Sequence, residues 1–283
     1  MQDSSGGEWA IVLAAGDGTR LRSLTTDSGG RVTPKQFCSL RGGISLLEAA
    51  VARAERVVAQ ERTVVVVAEQ HQHWWRAALA GRPTVHCIVQ PENKGTAAGL
   101  LLPLLAIVAR DPRARLLVLP SDHHVEDEQC LATALRSGLQ HVVESPEELV
   151  LLGIAPDDED ADYGWIVPAA SAGSPARVQS FIEKPPAGLV GRLRSQGGLW
   201  NSFLFATSAP ALLDLYHERT PELLAAFLGA RHEEAGSLGE LYRRLPASDF
   251  SRDLLQGCEE RLRVLTVPPC GWTDLGTQER VAR

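Results

Sequence analysis

The stretch WAIVLAAGDGTRL, residues 9–21, joins an apolar run to a glycine-rich turn that ends in a cation. The run before the turn is apolar throughout, which is typical of a strand buried on both faces of a parallel sheet. Gly16 and Gly18 let backbone N–H groups approach an anion, and Arg20 can neutralise phosphate oxygens. The stretch therefore predicts a strand and a phosphate-binding turn, with a plain strand-to-helix turn as the alternative.

The rest of the first half alternates apolar runs with helical patterns. The runs that predict further buried strands are Thr63 to Ala68, Thr84 to Val89, Arg115 to Leu119 and Leu149 to Ile154. The segments with helical periodicity are residues 45–60, 95–110 and 126–144. This alternation predicts a doubly wound α/β fold with a mostly parallel sheet.

The pattern changes after about residue 155. Residues 156–185 combine polar turns with short apolar runs, which predicts a small, antiparallel, β-rich substrate lobe. The remaining expected elements are a strand at residues 200–206, helices between residues 209 and 245, and a last strand near residues 263–267. Because no linker or internal repeat separates these elements, the sequence predicts a single domain over residues 1–283.

Composition limits the classes of function. With 44% hydrophobic and 22% charged residues the chain is typical of a soluble globular protein, and its net charge of -7 argues against a nucleic-acid surface. Five scattered cysteines without a CxxC pair argue against a disulfide framework or a zinc site. The N-terminus has no signal-peptide pattern, and no apolar run approaches the roughly 20 residues of a membrane span. We therefore expect a cytoplasmic protein that binds neither nucleic acid nor membrane, as a monomer or a homo-oligomer.

Several polar motifs follow the predicted strands. TPKQF contributes Lys35, QPENKGTA places Gly95 and Thr96 at the start of a helix, and PSDH places Asp122 just past the end of a strand. Helix N-termini and the carboxyl edges of α/β sheets both receive anionic ligands. FIEKP and GWTDLG supply further charged side chains in the second half. Taken singly each motif is weak, because a lysine or an aspartate in a loop is usually a solvated surface charge.

Taken together and in order, the motifs resemble the sugar-1-phosphate nucleotidyltransferases, and most closely the mannose-1-phosphate guanylyltransferases. The matching stretches, which run from residue 13 to residue 277, are LAAGDGTRL, PKQF, QPENKGTA, PSDH, YG at residues 163–164, FIEKP, WNS at residues 200–202 and GWTDLG. The resemblance implies a Rossmann-like nucleotidyltransferase fold and a Mg²⁺-dependent reaction between an NTP and a sugar 1-phosphate. GTP and mannose 1-phosphate are the implied substrates, and GDP-mannose and pyrophosphate the implied products.

The same resemblance assigns roles, with about residues 9–155 forming the nucleotide-binding half and about residues 156–283 the sugar-phosphate-binding half. The implied nucleotide contacts are Leu13, Ala14, Ala15, Gly16, Gly18, Thr19, Arg20, Lys35, Gln90, Gly95, Thr96 and Asp122. The implied sugar-phosphate contacts are Tyr163, Gly164, Glu183, Lys184 and Asn201. Asp122 and Asp274 are the implied metal ligands, and the residues expected to act in catalysis are Arg20, Lys35, Asp122, Lys184 and Asp274.

Two alternatives stay open. One is a transferase of the same family that uses another base or sugar, such as glucose 1-phosphate. The other is a non-catalytic, nucleotide-sugar-sensing subunit of the same fold. Phe203, which stands where the family generally has glycine, keeps the second alternative open and has enough bulk to narrow the sugar pocket. The retained set of charged motif residues argues against a sensor, because sensing does not require the complete set.

Overall fold

The computed structural model describes residues 6–18, 21–26, 29–30, 32–40, 42–170, 173–230 and 237–282. Its strands are β1 (Glu8–Ala14), β2 (Thr63–Ala68), β3 (His86–Gln90), β4 (Arg115–Pro120), β5 (Leu149–Ile154), β6 (Trp165–Pro168), β7 (Ala176–Ile182), β8 (Leu199–Ser208) and β9 (Leu262–Val267). Its helices are α1 (Arg22–Thr25), α2 (Leu46–Glu55), α3 (Gln72–Leu79), α4 (Gly95–Val108), α5 (Glu128–Glu144), α6 (Ala187–Ser195), α7 (Ala209–Arg219), α8 (Pro221–Ala230), α9 (Ser237–Arg244) and α10 (Gln278–Ala282). Each strand that an apolar run predicts is present, with bounds shifted by up to two residues.

The first four strands form a parallel sheet in the order β3-β2-β1-β4, and β5, the last strand of the first half, lies beyond β8. β2 reads TVVVVA and is buried at every position, because a strand covered on both faces has no solvent-facing side to make polar. Parallel strands place their carboxyl ends at one edge. Here the ends of β1 and β4 are adjacent, and the Ser121 N–H donates to the Leu13 carbonyl at 3.1 Å. The turn after β1 and the loop after β4 therefore meet at that edge.

The second half does not continue the parallel order, so the prediction of a mostly parallel sheet is wrong there. β8 lies between β4 and β5 and is antiparallel to both. Of the other described neighbours, β5 and β9 are parallel, whereas β7 is antiparallel to both β6 and β9. Residues 169–175, which join β6 to β7, are too few for the crossover that parallel pairing requires. β6 also pairs with β8, so β8, β5, β9, β7 and β6 close into a ring.

Helices cover both faces of the sheet, as the doubly wound prediction requires. On one face α4, α7 and α8 bury side chains such as Leu100, Leu212 and Phe227. On the other face α2 and α5 bury side chains such as Leu47 and Leu135. The α/β class is therefore confirmed. Over the described residues, none of these helices is long and apolar enough to cross a membrane.

Candidate active site

A cavity of about 500 Å³ opens at the carboxyl edge of the sheet, beside the ends of β1, β3 and β4. The predicted nucleotide and metal residues in its lining are Leu13, Ala15, Gly16, Gly18, Lys35, Gln90, Gly95, Thr96, Asp122 and Asp274. Ala14 is buried beneath the turn, and the predicted contacts Thr19 and Arg20 lie outside the described residues. The fold thus gathers motifs from distant parts of the chain around one cavity.

The glycine-rich turn after β1 packs against the 3₁₀ turn Lys35–Phe37. Gln36 is buried, and its Nε2 donates to the carbonyls of Ala14 at 3.0 Å and Gly16 at 2.8 Å. Gly18 has a φ of 60°, and a Cβ on it would lie 2.8 Å from the main-chain nitrogen of Lys35. Backbone conformation and close contact therefore both require glycine at this position. These contacts hold the turn at the wall of the cavity.

Lys35 is the buried cation of the site. Its Nζ lies 2.9 Å from Asp122 Oδ2 and also donates to the Asp274 carbonyl. Burial alone would raise the pKa of the Asp122 carboxyl, but the Lys35 ammonium outweighs it, so this pKa lies below its ordinary value. The Asp122 side chain is 42% exposed, which leaves the carboxylate accessible from the cavity. Burial lowers the pKa of His123 to about 4, so this imidazole is neutral at pH 7, and its Nδ1 accepts from Trp272 Nε1 at 3.3 Å.

The Asp274 carboxylate is held by donors from both the β-rich half and α10. The Tyr163 hydroxyl donates to Oδ1 at 2.8 Å, the Gly276 N–H donates to it at 2.9 Å, and Arg280 Nη1 donates to both oxygens at 2.9 and 3.1 Å. Arg280 also forms an ion pair with Asp160 and lies over the Tyr163 ring, 4.1 Å from its centroid. Burial, and then the charge of Asp274, raise the pKa of the Tyr163 hydroxyl, which therefore remains a donor.

The donor chemistry of Asp122 and Asp274 fits Mg²⁺. Both residues line the same cavity, and Lys35 contacts both. Mg²⁺ prefers oxygen ligands and commonly takes one or two carboxylates together with substrate phosphates and water. In the part of the chain that the structure describes, no group of three or more His, Cys, Asp or Glu side chains forms a metal site. A divalent cation here would therefore need ligands from a bound substrate, and would replace Lys35 or Arg280 as the partner of a carboxylate.

Three of the predicted sugar-site residues, Gly164, Glu183 and Asn201, lie together in the β-rich half, and we refer to them as the Asn201 cluster. The Asn201 N–H donates to the Gly164 carbonyl at 2.7 Å, and a Cβ on Gly164 would lie 2.5 Å from Glu183 Oε2. Burial, reinforced by the Asp249 carboxylate, raises the pKa of Glu183 to about 7. Lys184 is exposed, with a φ of 48°. Neither the cluster nor Lys184 belongs to the described lining of the 500 Å³ cavity.

α4 begins at Gly95, as the sequence predicts, but another segment of the chain partly closes its first turn. Gly95 has a φ of 86°, and a Cβ on it would lie 2.2 Å from the Ser248 carbonyl oxygen. That carbonyl also accepts the Ala97 N–H at 3.1 Å, while Thr96 Oγ1 accepts the Phe250 N–H at 2.8 Å. This helix N-terminus therefore offers fewer free donors to an anion than its sequence indicates.

Gln90, at the end of β3, carries an unsatisfied acceptor. The residue is 1% exposed, and its Nε2 donates to the Glu92 carbonyl at 3.1 Å. Its Oε1 is buried and has no hydrogen-bond partner among the described residues. On α4, a Cβ added to Gly99 would lie 3.4 Å from this oxygen. Buried polar atoms without partners are rare in folded proteins, and an N–H donor on a ligand in the cavity would satisfy this one.

Sequence reasoning missed several polar residues of the cavity, among them Asp17, Asn93 and Asp249. Asp17 accepts from Asn93 Nδ2 at 3.0 Å and from Gln70 Nε2 at 2.8 Å, so it ties the glycine-rich turn to the loop before α4. The sequence does place Asp17 between two glycines of the predicted phosphate-binding turn, and this position indicates that its side chain lies near the site. Asp249 precedes the π-helical turn Phe250–Leu255, and no sequence motif marks it.

Comparisons with known sequences agree with the motifs. The family model described as nucleotidyl transferase matches residues 9–282. The xanthan biosynthesis protein XanB of Xanthomonas campestris pv. campestris is 31% identical over 281 residues, which cover 94% of this chain and 57% of that protein. The mannose-1-phosphate guanylyltransferase of Escherichia coli K12 is 31% identical over 287 residues, which cover 95% of this chain and 58% of that protein. The chain therefore spans a little over half the length of these relatives.

Solved structures share the fold. One described as a mannose-1-phosphate geranyltransferase from Thermus thermophilus matches with a TM-score of 0.82 and 28% identity, over 95% of this chain and 76% of that chain. One described as a mannose-6-phosphate isomerase from Helicobacter pylori matches with a TM-score of 0.77 and 22% identity, over 95% and 99% of the two chains. At that lower identity the likeness shows the fold alone.

Proposed function

The chain belongs to the nucleotidyl transferase family, and on that premise we propose that it transfers the nucleotidyl group of GTP to mannose 1-phosphate, giving GDP-mannose and pyrophosphate. The observation that carries the proposal is the contact of Lys35 with both Asp122 and Asp274 beside the glycine-rich turn. Two cations, Lys35 and Arg280, and the carboxylates of Asp122 and Asp274 at the carboxyl edge of the sheet suit a reaction between a triphosphate and a phosphate monoester. Similarity to proteins named mannose-1-phosphate guanylyltransferase supports this choice of base and sugar.

The phosphates would lie against the turn of residues 14–18. Gly16 lines the cavity, and nothing lies within 4 Å of where its Cβ would be, so the backbone is open to close approach. Lys35 Nζ would leave Asp122 for a phosphate oxygen, where charge-assisted hydrogen bonds are strong. Thr19 and Arg20, which follow the turn in sequence, are proposed as further phosphate contacts.

Charge repulsion is the first obstacle, because two anions must meet at the α-phosphorus. Asp122 and Asp274 would hold Mg²⁺, which supplies positive charge to the phosphates when it is bound. The sugar phosphate is itself an anionic nucleophile and needs no general base, so His123, with a pKa of about 4, does not have to accept a proton. Positioning and charge neutralisation by the chain's own residues would carry the catalysis.

The nucleoside would lie near Gln90, Gly95 and Thr96, which line the same cavity. The buried Oε1 of Gln90, which has no partner among the described residues, can accept from an N–H donor, and the Watson–Crick edge of guanine carries such donors. The geometry at this end of the cavity therefore supports a nucleobase with an N–H group directed at Gln90.

The sugar would lie near Tyr163 and the Asn201 cluster. The Tyr163 ring is stacked on Trp200 with ring centroids 4.4 Å apart, which limits its movement. Glu183, with a pKa of about 7, can donate to a sugar hydroxyl when protonated and accept from one when ionised. Lys184, exposed beside the cluster, is proposed as the contact to the phosphate of the sugar.

The test is a panel of NTPs against sugar 1-phosphates with Mg²⁺, in which pyrophosphate release is measured. GTP with mannose 1-phosphate should give the highest kcat/KM. Lys35→Ala should lower kcat about 100-fold or more, because it removes a preorganised charge beside the reacting phosphates. Arg244→Ala is the matched control, since this exposed cation pairs with Glu240 on α9, away from the cavity, and its loss should leave turnover unchanged.

Preference for another NTP or another sugar phosphate would overturn the choice of substrates and leave the reaction class in place. Tight binding of a nucleotide sugar without turnover of any pair would overturn the enzymatic proposal. That result would favour a nucleotide-sugar-sensing subunit of the same fold.

A further inference from the structure

β8 contains an irregularity beside the cavity. Leu151 of β5 pairs with Phe205, whereas Gly153 pairs with Asn201, so β8 uses more residues than β5 over the same stretch. Phe203 lies inside this bulge with a φ of 57°, in the left-handed region that bulky residues avoid. Such a backbone conformation persists where surrounding contacts over-determine it, and it is found frequently at ligand sites.

Two side chains hold the bulge. Asn201 Oδ1 accepts the Phe203 N–H at 3.0 Å. Ser202, fully buried, donates its hydroxyl to the Leu152 carbonyl at 2.6 Å and accepts the Leu204 N–H at 3.2 Å. These bonds satisfy main-chain groups that the interrupted strand ladder leaves without a partner. The conformation at position 203 is therefore imposed by its neighbours in the sequence.

The Phe203 ring is partly buried and forms part of the cavity wall. Its centroid lies 6.1 Å from that of Phe205 and 5.9 Å from that of Phe250, both in edge-to-face contact. Packing against two rings limits rotation of the side chain. The Phe203 N–H donates to Asn201, so a residue whose ring lines the cavity is tied through its main chain to the Asn201 cluster.

We propose that the sugar binds on the side of the cavity toward the Asn201 cluster, and that Phe203 determines sugar specificity by filling part of this sugar end, so that the site accepts a hexose 1-phosphate without a bulky ring substituent. The inference rests on the proposed function. The ring offers no hydrogen-bond partner to a polar substituent, and contacts with two neighbouring rings limit its movement. Extra atoms in a packed wall require displacement of that wall, which is unfavourable.

The test uses three variants of Phe203. Phe203→Gly removes the ring and places glycine where a φ of 57° is unstrained. Phe203→Ala removes the ring but keeps the unfavourable backbone, and Phe203→Leu keeps much of the bulk. Values of kcat/KM are measured with mannose 1-phosphate and with N-acetylmannosamine 1-phosphate. The two sugars differ only in that an acetamido group replaces one hydroxyl group in the second. The ratio should shift about tenfold or more toward the acetamido sugar in the glycine and alanine variants, with little shift in the leucine variant.

The KM for GTP should stay within about twofold of wild type in all three variants, because the ring is assigned to the sugar end. An unchanged ratio, with wild type still active on mannose 1-phosphate, overturns the specificity role and leaves the proposed function intact. A change in the KM for GTP that exceeds the change in the sugar ratio places the ring against the nucleotide and also overturns it. A wild-type protein that turns over no sugar 1-phosphate overturns the proposed function and this inference together. If the glycine variant does not fold, the ratio of kcat/KM for the two sugar phosphates is compared between the alanine and leucine variants.

Discussion

Asp122 faces a cation on one side and the open cavity on the other. Its contact with Lys35 keeps its pKa below the ordinary value, so the carboxylate stays charged at neutral pH. Asp122→Asn keeps the shape of the side chain and removes the charge. If Asp122 is a metal ligand as proposed, kcat should fall about 100-fold or more. The folded state should be retained with an unfolding free energy lower by about 1–3 kcal/mol, because asparagine keeps an oxygen acceptor but leaves the buried Lys35 ammonium without its counterion.

Steady-state kinetics and urea unfolding of this variant check the expectation. Asp214→Asn, at an exposed position on α7, should change neither quantity. Near-normal Mg²⁺-dependent turnover in Asp122→Asn would show that this carboxylate does not hold the metal.

Glu183 gives the molecule a predictable dependence on pH. Burial and the Asp249 carboxylate raise its pKa from 4.5 to about 7, so between these values the folded state holds a proton that the unfolded state has released. Stability from this group is therefore complete below about pH 4.5 and is lost as the pH rises to about 7. Glu183→Gln removes the titration. Relative to that variant, wild type should lose about 3 kcal/mol of unfolding free energy between pH 5 and pH 8.

Urea unfolding at several pH values measures this difference, with Glu147→Gln, at an exposed position, as the control that should follow wild type. Parallel pH profiles for wild type and Glu183→Gln would show that the carboxyl is solvated in the folded protein.

At the scale of elements, the start of α4 depends on the segment that crosses it. A Cβ on Gly95 would lie 2.2 Å from the Ser248 carbonyl, and the φ of 86° is itself unfavourable for alanine. Gly95→Ala should therefore destabilise the protein by about 2 kcal/mol or more and should raise the KM for the nucleotide, since Gly95 lines the cavity.

Gly188→Ala in α6 is the matched control, because nothing lies within 4 Å of the added Cβ and alanine favours a helix by about 1 kcal/mol. Thermal and urea unfolding compare the two variants. Equal unfolding free energies for Gly95→Ala and Gly188→Ala would mean that the Ser248 segment can shift away from the added Cβ with little loss of stability.

The elements differ in how far the sequence predicts them. β2 and β5 were predicted with their observed bounds, because continuous runs of valine and leucine leave few alternatives to a buried strand. The position of β8 between β4 and β5 was not predicted, since strand order depends on pairing between residues far apart in the chain. Motif order identified most of the charged residues of the cavity lining. Asp249 and Arg280 were missed because their roles arise from contacts with distant segments.

At the scale of the whole molecule, the two halves share one sheet. β8 belongs to the second half, yet it pairs with β4 of the first half along Arg115–Val118 as well as with β5. We therefore expect one cooperative unfolding transition, in which far-UV circular dichroism and tryptophan fluorescence change together. Tryptophan fluorescence reports on both halves, because Trp9 lies in the first half and Trp165 and Trp200 lie in the second. Two separate transitions in urea would show that the halves fold as independent units.

The contact between Lys35 and Asp122 also bears on the order in which ligands enter. Each is the counterion of the other at 2.9 Å, so a phosphate that takes Lys35 alone leaves a bare carboxylate beside it, and a cation that takes Asp122 alone leaves an unpaired ammonium. Exchange of both partners together leaves neither charge without a counterion. The ligand best suited to that exchange carries a positive and a negative group together, as a metal-chelated nucleotide does. The resting ion pair would thus favour binding of the chelate over binding of either free ion.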